Sequence, residues 1–232
     1  MDILYSNELH EHYVDRTTAS AARIAPLALQ WVKPSSVVDI GCGHGYWLKP
    51  FVEQGIHDVL GVDGDYVDKD KLAIPQSQFR PMDLNQPTPL GRTFDLAISL
   101  EVAEHLRPDA GPRFVEFLTS CSSCILFSAA IPGQPGNDHR NARWPSYWKK
   151  LFEAQGYVAL DPVRREIWHD DQVMMCYRQN VLFMVRQDRF DSDKILQALP
   201  KANCLMLIDE EALVHYVSIK ESVKRWIKPG PR

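Results

Sequence analysis

The chain has 232 residues, 45% of them hydrophobic, with 26 Lys and Arg against 30 Asp and Glu for a formal net charge of −4. That supports one substantial α/β core, while cations scattered along the chain leave no electrostatic footprint for DNA or long RNA. No apolar run approaches the ~20 residues that span a bilayer and no basic stretch with an apolar core opens the chain, so no membrane is expected. Five cysteines without paired spacing suit a reducing, cytoplasmic compartment.

Residues 7–22 read as an amino-terminal helix. Pro26 opens a second short helix, since a missing N–H costs least in a first turn, and Pro34 stops it. Tyr5 and Tyr13 are candidates either for the wall of a lid or for the core. Val37-Val38-Asp39-Ile40 is an apolar run that leads straight into Gly41-Cys42-Gly43-His44-Gly45. Glycine lacks a Cβ, so three at alternate positions let the backbone turn sharply and come close to a nucleotide. A dinucleotide turn would need its third glycine where Tyr46 stands, which disfavours NAD and FAD. Cys42 is the small side chain such a turn tolerates, and His44 is either a ligand contact or a solvent-facing turn residue. Trp47, Leu48, Phe51 and Val52 supply the buried stripe of the helix that follows.

A second apolar run, 59–63, ends in Asp63 before Gly64, and a carboxylate there can accept from both hydroxyls of a ribose. Residues 79–84 form a third strand end, where Asp83 either accepts from an adenine amine or caps a turn. The fourth strand, 94–101, ends in Glu101; a helix over 108–119 precedes the fifth strand, 124–130. Cys121 and Cys124 have no second pair and lead into a strand, so they read as small buried residues. A helix over 147–155 is ended by Gly156. Residues 157–160 and 181–185 form an antiparallel closing pair, and 209–228 has helical composition.

Glu101-Val102-Ala103-Glu104-His105 begins where the fourth strand ends. On a helix, positions i, i+3 and i+4 share a face, so Glu101, Glu104 and His105 would converge. With His139 from the loop after the fifth strand they make a partial shell for a divalent metal such as Mg²⁺, Mn²⁺, Fe²⁺ or Zn²⁺. Without a metal, Glu101 lies near the ligand and His139 or His105 serves as a general base. His44, Trp144, Tyr147 and Tyr13 are candidate acceptor-pocket residues, with Tyr147 and Trp148 alternatively seating their helix on the sheet.

From about 36 to 160 this order of elements resembles class I S-adenosylmethionine-dependent methyltransferases of the small soluble kind. The resemblance implies a doubly wound, mostly parallel seven-stranded α/β sheet, Rossmann-like, with helices on both faces. It implies Gly41, Cys42, Gly43 and Gly45 along the methionine part of S-adenosylmethionine, with Asp39 acting through the turn. Asp63 and Gly64 would lie at the ribose, Asp83 and Leu84 near adenine, and Glu101 beside the donor. E-x-x-E-H with a later His is similar to the cation-dependent branch, which includes ubiquinone-pathway O-methyltransferases and enzymes that modify the terminal 2′-hydroxyl of small RNAs. After His139 the sequence departs from both.

The chain divides into a helical cap (1–34), a donor-binding domain (35–187) and a carboxyl-terminal extension (188–232) packed on the same domain. The expected activity is methyl transfer to a small-molecule acceptor at a hydroxyl oxygen. Transfer to nitrogen or carbon, or to an RNA terminus, is the alternative, and a non-catalytic donor-binding subunit is another. A homodimer is compatible with the sequence.

Overall fold

The structure is a computed structural model that describes residues 7–203, with side chains from Val14 onward. Helix α1 (Asn7–Val32) leads into β1 (Ser36–Ile40), α2 (Lys49–Glu53), β2 (Asp58–Asp63), β3 (Phe79–Pro81) and β4 (Leu96–Leu100). Then come α3 (Gly111–Cys121), β5 (Cys124–Ser128), α4 (Pro145–Ala154), β6 (Tyr157–Leu160), α5 (Val163–Ile167), α6 (Met175–Asn180), β7 (Leu182–Arg186), α7 (Gln187–Ser192) and α8 (Lys194–Ala198). The helix expected over 209–228, Tyr5 and the Tyr13 side chain lie outside the described residues.

β1, β4 and β5 are buried at every position, as strands covered on both faces must be, and so they read as unbroken apolar runs. The seven strands lie in the order β3-β2-β1-β4-β5-β7-β6. β3, β2, β1, β4 and β5 pair in parallel, and β7 is antiparallel to both β5 and β6. The chain winds outward from β1 to one edge and then crosses to β4, so the crevice between β1 and β4 is a topological switch point at the strands' carboxyl ends.

Alternation along the strands divides the core in two. Val37, Leu96, Ile98, Leu126 and Phe183 pack with α1, α2, α5 and α6 on one face. Val38, Ile40, Ala97, Ile125 and Phe127 pack with α3 and α4 on the other. α1 is one continuous helix with Pro26 inside it, where two helices were expected. An interior proline costs a helix about 3 kcal/mol. Ala21, Ile24, Ala25 and Ala28, each at most 1% exposed on both sides of the proline, recur at helical spacing and hold the element together by tertiary packing. The helix ends with Lys33 in the left-handed region at φ 50°, its N–H donating to the Leu29 carbonyl. No helix among the described residues is long and apolar enough to cross a membrane.

Past β6 the chain buries an ion pair. Arg164, 1% exposed, meets the Asp161 carboxylate with Nε and Nη2 at 2.8 and 2.6 Å and donates from Nη1 to the Gln179 carbonyl. The pair thereby fastens α5 to the end of α6. Further on, residues 200–202 run beside β6, with Asp161 N–H donating to the Pro200 carbonyl and Ala202 N–H to the Ala159 carbonyl. Removing one partner of a buried pair leaves the other charge uncompensated, typically a loss of 3–5 kcal/mol. Asp161→Ala should lose about that much in urea denaturation, and a loss below about 1 kcal/mol would show that Arg164 finds another partner.

Candidate active site

The carboxyl ends of the strands surround a cleft of about 370 Å³. Its lining includes Gly41, Asp63, Gly64, Asp83, Leu84, Glu101 and His105 of the expected residues, together with Tyr66, Met82, Asn85, Val102, Leu106 and Asp138. Gly41, Gly43 and Gly45 all adopt positive φ, at 86°, 50° and 84°, a region closed to most side chains. A Cβ on Gly41 would come within 2.3 Å of Val102 Cγ2, whereas one on Gly43 would meet nothing within 4 Å. Gly41 is therefore required by packing as well as by backbone conformation. Gly61, in the middle of β2, is required by packing alone: a Cβ there would meet Cys42 Sγ at 2.8 Å. A glycine interrupting an apolar strand signals such a close approach.

Asp63 ends β2 and braces the turn. Its Oδ2 accepts from the Gly43 N–H at 2.7 Å, and its Oδ1 from the Gly64 N–H at 2.6 Å and the Tyr66 hydroxyl at 2.5 Å. Asp39 lies behind the turn, 2% exposed, with Oδ2 unpartnered among the described residues. Burial, then the nearby Asp63 charge, holds its carboxyl well above the ordinary value. Asp83 Oδ1 accepts from the backbone and side-chain N–H groups of Asn85, and Asn85 Oδ1 accepts from the Arg107 N–H. The turn after β3 is thus pinned to the loop after β4. Asp83 fills the turn role and also faces the cleft.

Glu101 departs from the expected helix. It adopts φ 56°, its N–H donates to the Ser128 carbonyl and Oγ, and residues 103–105 form a turn rather than a helix. The left-handed residue turns its carboxylate toward two amides that the sequence did not reveal, while it stays close enough to Glu104 to act on that carboxyl. Gln134 Nε2 donates to it at 2.7 Å and Asn180 Nδ2 at 3.1 Å, while Asn180 also donates to Gln134 Oε1 at 2.8 Å. Removal from water raises the Glu101 pKa, and the hydrogen bonds from Gln134, Ser128 and Asn180 oppose that rise.

Glu104, His105 and His139 do come together, each offering a ligand atom within 4.8 Å of the others; Glu101 is not part of this group. The His105 and His139 rings meet edge to face at 5.1 Å. Glu104 is fully buried, and among the described residues neither of its oxygens, nor His139 Nδ1, has a hydrogen-bond partner. Burial and then the charge of Glu101 push the Glu104 carboxyl up to about 9. Burial and then His105 lower the His139 pKa, which favours a neutral imidazole. Two features hold the loops in place. Asn141 donates from its backbone to the Glu104 carbonyl and from Nδ2 to the Ala103 carbonyl. Gly136 makes room for the His139 ring, which a Cβ would approach to 2.2 Å.

The other expected residues stand elsewhere. Cys42 is buried beneath Gly61, and Cys121 and Cys124 are buried free thiols. The His44 ring sits 6.1 Å from that of Tyr46. Trp144 precedes α4. Tyr147 packs edge-on to Trp148 at 4.9 Å under the Arg143 guanidinium, and Trp148, 1% exposed, seats α4 against Phe127. His44, Trp144 and Tyr147 are not among the residues lining the cleft.

The chain matches the family model for a methyltransferase domain over residues 10–161. Among solved structures it is similar to magnesium protoporphyrin IX methyltransferase from Synechocystis PCC 6803 with bound SAM, at 18% identity over 80% of this chain and 86% of that one, TM-score 0.54. It is also similar to the methyltransferase domain of bacterial CtHen1, at 18% identity over 73% and 98%, TM-score 0.51. A third likeness is to the plantazolicin methyltransferase BpumL in complex with SAH, at 15% identity over 76% and 86%, TM-score 0.52. At these identities the likenesses establish the fold. No curated protein sequence matches the chain.

Two outcomes follow from the geometry. Gly41→Ala should lower the melting temperature more than Gly43→Ala, because both place a side chain at positive φ and only the first also collides with Val102; equal losses would show that Val102 yields freely. The second concerns pH. Glu104 keeps its proton up to about 9 in the fold and only to about 4.3 when unfolded. Its contribution is therefore complete below about pH 4 and is lost as pH rises toward 9. Asp39 adds a dependence of the same sign. In chelator, Glu104→Gln should flatten the fall in stability between pH 5 and 9, and an unchanged slope would show Glu104 already ionised in the fold.

Proposed function

The chain belongs to the methyltransferase-domain family, and from that premise we propose that it moves the methyl group of S-adenosylmethionine onto a hydroxyl oxygen of a small-molecule acceptor. The observation that carries the donor half is one cleft at the switch point lined by Gly41 of the glycine turn together with Asp63 and Asp83. Asp63 lies where a ribose would sit, Asp83, Leu84 and Asn85 where adenine would, and Gly41 and Glu101 along the methionine end. A sulfonium carries positive charge, and Glu101, held as an acceptor by Gln134 and Asn180, supplies a carboxylate beside it.

The acceptor half rests on Glu104, His105 and His139. A methyl on sulfonium is already activated, so the protein needs to hold a nucleophile in line with the S–CH₃ bond and to take its proton. His139, with its lowered pKa and unpartnered Nδ1, is suited to accept a proton from a hydroxyl near neutral pH. The same trio also fits a divalent cation. Buried carboxyl oxygens without donors beside two imidazoles are a mixed N/O ligand set of the kind Mn²⁺, Fe²⁺ or Zn²⁺ takes. There the cation would be held by Glu104, His105 and His139, and it would lower the pKa of a bound hydroxyl.

Calorimetry with S-adenosylhomocysteine should show one site per chain, weakened at least tenfold by Asp63→Ala, and no binding to folded wild type would remove the donor assignment. With labelled S-adenosylmethionine and a panel of small hydroxylated acceptors, His139→Ala should lower turnover and leave S-adenosylhomocysteine affinity intact. Activity lost to EDTA and restored by Mn²⁺ supports the cation, while activity indifferent to EDTA assigns His139 the base role alone.

A further inference from the structure

Asp63 is already heavily engaged. A carboxylate offers about four lone-pair positions. Gly43 N–H, Gly64 N–H and the Tyr66 hydroxyl occupy three of them, which leaves too few for the two hydroxyls of a ribose. Two of the occupants are backbone groups of the loops that shape the cleft, and they cannot leave without unmaking it. The third sits at the end of a side chain. Tyr66 is 80% exposed, its ring resting against Gly64 and its hydroxyl on Asp63, so swinging it away sacrifices little packing.

Gly64 shows that this position of the ring is built in. A Cβ there would meet the Tyr66 ring at 2.1 Å, yet Gly64, unlike the glycines of the turn, is not among the residues with positive φ. Its missing side chain serves the tyrosine rather than the backbone. Tyr66 also lines the cleft, and burial, followed by the bond to Asp63, raises its pKa, which keeps the phenol a proton donor across the physiological range.

We infer that Tyr66 is a displaceable occupant of the sugar position: its hydroxyl holds the place on Asp63 that a vicinal diol takes when a nucleoside enters, and the ring then swings out of the cleft. This rests on the nucleoside-donor reading above. The unliganded site is thereby kept polar and satisfied, and part of the diol's binding energy goes into breaking an existing bond.

The test compares wild type with Tyr66→Phe, which keeps the ring and removes the hydroxyl, using two ligands: S-adenosylhomocysteine and its analogue lacking both ribose hydroxyls. Tyr66→Phe should bind S-adenosylhomocysteine tighter, by ~10- to 150-fold for the loss of one competing hydrogen bond to a charged group, with affinity for the analogue unchanged. An equal gain for both ligands overturns the inference, since the hydroxyl would then hinder entry whether or not the ligand carries a diol. Unchanged or weaker binding of S-adenosylhomocysteine also overturns it, because the phenol would then be neutral toward the bound ligand or in contact with it. Wild type that binds neither ligand takes down the donor reading and this inference together, an outcome distinct from the other three. A melting temperature equal to wild type confirms that the substitution leaves the fold intact.

Discussion

The bond from the Gly43 N–H to Asp63 Oδ2 is the contact on which the candidate site depends. It joins the turn after β1 to the end of β2, and with the Gly41 and Cys42 N–H groups both donating to the Val62 carbonyl it gives the glycine turn a fixed shape. Charge-assisted bonds of this kind are stronger than neutral ones, and this one is shielded, with Asp63 only 6% exposed. Burial, and then the charge of Asp63, makes Asp39 behind the turn keep its proton to higher pH. A turn with three left-handed residues would otherwise be a loose element. Here two adjacent strands hold it.

Most of the sheet was legible because its strands are buried on both faces and therefore spell continuous apolar runs between turn residues. The antiparallel pair at 157–160 and 181–185 was legible for the same reason. The errors lie where tertiary packing overrides a local signal. Pro26 reads as a helix start, and only the alanine and isoleucine contacts to the sheet carry the helix through it. Glu101 reads as the first residue of a helix, but its N–H is taken by Ser128 on the neighbouring strand, and the chain leaves the strand in the left-handed region instead.

Legibility in the site follows the same division. The glycines, Asp63 and Asp83 announce themselves because strand ends fix their positions. Of the four residues expected to converge, Glu104, His105 and His139 lie together and Glu101 does not, and turns rather than a helical face bring the three together. Gln134 and Asn180 could not be found: they reach Glu101 from 33 and 79 residues away, and an amide in a loop or at a helix end has no spacing that marks it. Asn180 is in turn held near the Arg164–Asp161 pair through Gln179, whose carbonyl Arg164 binds and whose side chain donates to Asn180 Oδ1. The setting of Glu101 therefore depends on an ion pair outside the cleft. Tyr66, exposed and three residues past the acid, looks like ordinary loop surface in a linear reading.

The two margins of the sheet carry a consequence for self-association. On one side β6 is shadowed by 200–202, which take up main-chain groups of residues 159–161. On the other, β3 is three residues long and ends in Pro81, which has no N–H to offer. Short strands, prolines and covering segments are how proteins deny a template to a foreign strand. Among the described residues neither margin therefore offers a second copy a long unpaired strand, and the crevice above β1 and β4 is built within one sheet.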